Sequence, residues 1–265
     1  RLSFGPSEHD LNILKFHIEN PFETSGSTIK VLLPKDYDPG KQYGVLYILP
    51  VTSAWLDQWW HNGIIVAAQE RIADAYDVIC VYPEFNDAPW YADHPTHAGI
   101  RQESFLIDAV VPFVDRKFST IAKAQGRSLL GFSKSGFGAF AMLLRHPDMF
   151  LKAAAWDAPM LFEDLDVRGS HLRKIFGTDG NYASYYIPEL LKKNVGLFRA
   201  GSHSLVLLGF SYLKSDIEEL HQYMQQLGIG HIYANSQHRA HRWDSGWLPE
   251  AVKFLLDRAD AVNGR

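Results

Sequence analysis

The chain has 265 residues, of which 46% are hydrophobic and 21% charged, the usage of an ordinary globular protein with enough length to bury a sizeable core. Lys and Arg total 26 against 30 Asp and Glu, a formal charge of −4, so no basic footprint argues for nucleic acid as a partner. No apolar run approaches the roughly 18 residues of a membrane span, and the sole cysteine, Cys80, excludes an intrachain disulfide.

Two alternating stretches come first, LNILKFHIEN (11–20) and STIKVLLP (27–34), which read as half-exposed strands paired antiparallel at a sheet edge. Short, mostly apolar strands follow: YGVLYILP (43–50), DVICVYP (77–83), RSLLGF (127–132), KAAAWD (152–157), SLVLLGF (204–210) and GHIYANS (230–236). Near-continuous apolar runs of this length suit parallel strands covered on both faces. Cys80 sits inside one of them and is expected to be a buried, inert thiol. Helical patterns separate the strands: IRQESFLIDAVVPFVDRKF, GFGAFAMLLRHP, SDIEELHQYMQQLG and GWLPEAVKFLLDRADAV. The third carries Ser215 and Glu218 at capping-box spacing and Gly228 at its end. No Pro/Gly/Ser-rich linker divides the chain, so residues 1–265 are expected to form one α/β domain, a mostly parallel eight-stranded sheet with helices on both faces.

In such sheets function collects at the carboxyl ends of the strands. GFSKSGFGAF (131–140) joins a strand to a helix there, with Ser133 at the tip of the turn. A nucleophile elbow has the pattern G-x-S-x-G, because small flanking residues let strand and helix approach closely. Gly131, Ser135 and Gly136 meet that need in size, with Ser135 standing where the pattern has glycine. Taking Ser135 as nucleophile would put Phe137 in a small-residue position, so Ser133 is preferred. A serine needs an adjacent base, and the loop after the last strand, SQHRAHRWDSGW, offers His238 and His241.

GFSKSGFGAFAMLLRHPDMF, HRWDSGWLPEAVKFL and YGVLYILP together resemble the putative-esterase branch of the α/β hydrolases. That branch includes S-formylglutathione hydrolase, feruloyl and acetylxylan esterases, enterochelin esterases and mycolyltransferases. The resemblance implies the α/β-hydrolase fold, a serine ester hydrolase, no cofactor, and His241 as the base. It also implies an oxyanion hole, with Lys134 N–H as one donor and the loop at Val51 and Thr52 as the other; Pro50 has no N–H to give.

The chain departs from the family in two places. The oxyanion strand ends Pro50-Val51-Thr52 instead of His-Gly, and the family's usual acid position, beyond the strand ending near Gly209, holds Tyr212. Asp157, closing the preceding strand, is preferred as the acid, with Asp216 as the alternative; either keeps the chain order Ser, Asp, His.

Trp90, Tyr91 and His94, in the long loop 84–105, and Trp243 beside His241 are expected to contact substrate, with Trp55, Trp59 and Trp60 adding flat surfaces suited to sugar rings or phenolic groups. Arg101 and Glu103 are placed to pair in a helix's first turn. No H-x-x-x-H or H-E-x-x-H spacing occurs, so no metal is expected. The expected partner is a small-molecule or saccharide ester. Acyl transfer through the same residues and a non-catalytic binding role are the alternatives. The sequence leaves open the oligomeric state and the compartment, whether cytoplasmic or secreted after loss of a leader.

Overall fold

The computed structural model describes residues 7–23, 26–57, 62–162, 165–166, 170–209, 211–235 and 237–257. Among these residues lie the strands β1 (Leu14–Ile18), β2 (Ser27–Leu32), β3 (Gly44–Ile48), β4 (Val78–Pro83), β5 (Arg127–Phe132), β6 (Lys152–Trp156), β7 (Ser204–Leu208) and β8 (Ile232–Ala234). They form one eight-stranded sheet in the order β1-β2-β4-β3-β5-β6-β7-β8. β1 pairs antiparallel with β2, and β2 antiparallel with β4; every pair from β4 onward is parallel. The expected edge hairpin and parallel body are both present.

Alternation along each strand sends side chains to two separate cores. Tyr47, Val81, Leu129, Ala155 and Leu207 pack on one face, under the helices Lys134–Arg145 and Lys214–Gln226. Ile48, Tyr82, Leu130, Trp156 and Leu208 pack on the other, under Gly63–Gln69 and Trp247–Leu256. Cys80 is fully buried in this second core, where burial pushes its thiol up to about 12. No helix among the described residues is long and apolar enough to cross a membrane.

Local chemistry changes three expectations. The helical pattern 100–118 runs as Gln102–Ser104, a π-helical stretch Phe105–Val110, and Val111–Lys117. Pro112 has no amide to donate and its ring crowds the carbonyl four residues back, so the wider turn falls just before it. Arg101 bonds Ser104 Oγ at 2.9 Å and lies 3.5 Å from Asp93, whereas Glu103 turns inward to Arg145, His146 and Tyr185. Glu103 is buried, and burial alone would raise its carboxyl. The hydrogen bonds from His146, Arg145 and Tyr185 outweigh that and hold it at about 2. The helix Lys214–Gln226 starts one residue before Ser215, at Lys214, and its N-cap is Leu213, with no side-chain cap, so the Ser215/Glu218 box does not form. Gly228 does follow its end, at φ +66°.

The long loop after β4 is tied down by Glu23, whose Oε2 accepts the Asn86 N–H at 2.9 Å. Burial pushes this carboxyl up to about 7; the Asn86 amide pulls against the shift and Asp87 adds to it. The folded state therefore keeps a proton that the unfolded chain releases near 4.5, so Glu23's contribution to stability is lost as pH rises toward 7. Glu23→Gln should match wild type near pH 4 and exceed it by up to about 3 kcal/mol at pH 8. Urea midpoints at the two pH values measure this, and a gap independent of pH would rule it out.

Candidate active site

β5 and β6 run side by side with Phe132 opposite Trp156, and each strand delivers one functional residue just past its end. Past Phe132 the chain turns sharply into the helix Lys134–Arg145, with Ser133 at the corner in an unfavourable conformation (φ 54°, ψ −130°). Glycine is required at two flanking positions. A Cβ on Gly131 would lie 2.0 Å from the Ser135 carbonyl oxygen, and one on Gly136 would lie 2.6 Å from the Ala158 methyl.

Ser135 itself has a bonding role. Its hydroxyl accepts from Phe132 N–H at 2.9 Å and donates to Phe132 C=O at 2.8 Å, stapling the first turn of the helix to the end of β5. Restoring the family's glycine with Ser135→Gly should therefore cost about 2 kcal/mol, from the lost hydroxyl bonds and the added backbone freedom. A lower melting temperature is the expected result; an unchanged one would show the staple to be idle.

Past Trp156, Asp157 also sits at positive φ (41°) and is fully buried. Gly209, at the end of β7, makes room for it: a Cβ there would lie 2.9 Å from the Asp157 nitrogen. The Asp157 carboxylate meets donors on both oxygens. Oδ2 lies 2.6 Å from His241 Nδ1 and accepts Tyr212 N–H at 3.1 Å, while Oδ1 accepts Leu213 N–H at 2.7 Å. A buried carboxylate needs such partners. His241 Nε2 in turn lies 3.2 Å from Ser133 Oγ, so the three side chains form one hydrogen-bonded line.

The imidazole is walled by rings, with Phe132 at 4.6 Å, Tyr212 at 5.9 Å and Trp156 at 6.2 Å between centroids. Trp247 Nε1–H donates to the Arg242 carbonyl at 3.1 Å and holds the histidine's loop against the closing helix. His238 lies on the exposed part of the same loop. Asp216, the alternative acid, accepts Met160 N–H at 2.9 Å and Leu161 N–H at 3.3 Å, so it pins the segment after Asp157 and is not bonded to the imidazole.

At the oxyanion positions, Lys134 N–H opens its helix and so has no intrahelical acceptor. Among the described residues, neither Val51 N–H nor Thr52 N–H donates a hydrogen bond. The Lys134 ammonium is half-buried, and burial lowers its pKa.

Of the four residues expected to contact substrate, Trp90, Tyr91 and Trp243 are buried. Tyr91 is fully buried; Trp90 is buried with its ring edge-on to Phe137 and Phe162. Trp243 is buried among Tyr82, Phe132 and Trp247. His94 uses Nδ1 to accept Thr96 N–H and His97 N–H within its own turn. Trp90, Tyr91 and Trp243 thus carry packing, and the half-buried His94 holds its turn. Trp55 is exposed, and Trp59 and Trp60 lie outside the described residues. Sequence reasoning missed Tyr212, whose ring is 81% exposed beside His241 while its backbone serves the acid. A main-chain donor leaves no mark in residue type. No group of three or more His, Cys, Asp and Glu suited to a metal occurs among the described residues.

The profile of the family described as "Putative esterase" matches residues 24–163. Esterase Rv1288 of Mycobacterium tuberculosis is 31% identical over 134 residues, 49% of this chain, and the match spans only 29% of that longer protein. A ferulic acid esterase structure superposes with a TM-score of 0.71 at 21% identity, covering 92% of this chain and 96% of its own. FphF, a fluorophosphonate-binding serine hydrolase of Staphylococcus aureus, superposes with a TM-score of 0.76 at 16% identity, covering 92% and 98%. The elbow between β5 and its helix lies inside the matched segment, and the two superpositions extend the likeness over 92% of the chain. The chain belongs to the putative-esterase family and has the α/β-hydrolase fold.

Proposed function

We propose that the chain, acting as a single domain, cleaves a carboxylic ester by acyl-enzyme chemistry, with Ser133 as nucleophile, His241 as base and Asp157 as acid. The observation that carries this reading is the hydrogen-bonded line Asp157 Oδ2, His241 Nδ1, His241 Nε2, Ser133 Oγ at 2.6 and 3.2 Å. His241 takes the Ser133 proton as Oγ attacks the ester carbonyl, and Asp157 holds the imidazole tautomer and stabilises the imidazolium. Lys134 N–H and an N–H of the Val51–Thr52 loop donate to the oxyanion. His241 then protonates the departing alcohol, and water enters with His241 as base to release the acid.

The ester is proposed to carry an aryl or saccharide alcohol. The departing oxygen must sit beside His241 Nε2, and the exposed Tyr212 ring stands next to that imidazole with a flat face to offer a ring. The same ring favours a second reading, acyl transfer to a ring-bearing alcohol in place of water. Tyr212 at the usual acid position and the missing His-Gly raise a non-catalytic binding role, and the bond of Asp157 to His241 at 2.6 Å weighs against it. A fluorophosphonate probe should label Ser133, and short p-nitrophenyl esters should turn over. Products formed with and without added sugar or phenol acceptors separate hydrolysis from transfer. A folded protein that takes up no label from a small reactive probe would count decisively against the mechanism.

A further inference from the structure

We infer that Tyr91 is a positioning residue for this chemistry: its hydroxyl sets the rotation of the Pro50–Val51 peptide and so aims the oxyanion loop. The inference rests on the serine-hydrolase reading above. Leu49 N–H makes the last bond from this segment to the neighbouring strand, to Leu130 C=O at 2.9 Å, and the chain then leaves the sheet. The Tyr91 hydroxyl donates to the Pro50 carbonyl at 2.5 Å. A peptide unit is planar, and the described residues contain no cis bond, so the Pro50 C=O and the Val51 N–H point in opposite directions. A side chain that holds one therefore aims the other. Neither Val51 N–H nor Thr52 N–H has an acceptor among the described residues, as befits donors kept for a ligand.

The support for this ring is more elaborate than packing requires. Tyr91 has φ +59°, a conformation that non-glycine residues adopt at a cost. It is held there by Gln102, a fully buried side chain whose Oε1 accepts both Trp90 N–H and Tyr91 N–H, at 2.9 and 3.1 Å. On its other side the ring lies over Gly138, in the middle of the helix that Ser133 begins; a Cβ there would sit 2.0 Å from Tyr91 Cδ2. Glycine is a poor helix former, and here it clears the path for the ring. One side chain thus spans from the nucleophile's helix to the oxyanion loop. A phenylalanine would fill the same space, so the hydroxyl's contribution is the orientation of Pro50.

The test is Tyr91→Phe in the full chain, with active sites counted by fluorophosphonate labelling. KM for p-nitrophenyl acetate should stay near wild type while kcat falls about 10- to 100-fold, somewhat less than outright loss of an oxyanion donor. Affinity for a trifluoromethyl ketone, which adds Ser133 and forms an oxyanion, should fall by the same factor as kcat/KM. The melting temperature should drop by only a few degrees. Gly138→Ala, which pushes the ring aside with its hydroxyl intact, should give the same split between kcat and KM; if that variant does not fold, Tyr91→Phe decides alone. Wild-type kcat in Tyr91→Phe, or ketone affinity unchanged while kcat falls, would overturn the positioning role and leave the serine mechanism standing. A wild type that takes no label overturns both.

Discussion

Asp157→Asn should lower kcat by about 10⁴-fold with little change in KM, because an amide facing His241 Nδ1 favours the wrong imidazole tautomer and cannot stabilise the imidazolium. The same change at Asp216 should leave kcat within a few-fold of wild type. That carboxylate bonds Met160 and Leu161 N–H, so its loss is felt in stability. Asp157→Asn should also cost some stability, since both oxygens of this fully buried carboxylate accept main-chain N–H groups, from Tyr212 and Leu213. Turnover of a p-nitrophenyl ester by both variants, corrected for folded fraction by circular dichroism, checks the pair. A larger kcat loss at Asp216 would reverse the assignment of the acid.

Ser133→Ala should remove about 10⁶-fold of kcat and all fluorophosphonate uptake, leaving only the slow background that binding and oxyanion donors supply. The hydroxyl's hydrogen bond among the described residues is the one to His241, so the fold should survive and the melting temperature should barely move. That separates loss of chemistry from loss of structure. Ser135→Gly is the complementary control, since it should lower stability and spare turnover. Ester turnover persisting at wild-type rate in Ser133→Ala would require a different nucleophile.

Much of this was legible in the sequence, where the physics is local. Alternation marked β1 and β2, continuous apolar runs marked the parallel strands, and the small residues around Ser133 marked the elbow. His241 was legible only through the family resemblance, because two histidines share its loop. The acid stayed open between Asp157 and Asp216 because the choice depends on which strand ends beside the imidazole, a matter of sheet order. The burial of the loop aromatics was not legible, because burial is decided by tertiary packing: Trp90 and Tyr91 lie in an irregular loop, yet that loop folds back onto the helix Lys134–Arg145. Ser215 and Glu218 had the spacing of a cap, but the helix already begins at Lys214, where the buried Asp157 takes the preceding Leu213 N–H.

The seat of Asp157 just past β6 also bears on how this protein can change over time. The loop after β7 supports the Asp157 carboxylate through the main-chain N–H groups of Tyr212 and Leu213, which any residue but proline provides. The side chain at position 212 is thus free to drift without disturbing the proton relay. Where an acid occupies that loop, exploring new side chains there risks the chemistry itself. Here Ser133 and Asp157 follow two adjacent strands locked in register, and on the proposed mechanism the exposed position beside them is a dial that selection, or a saturation library, can turn without touching either.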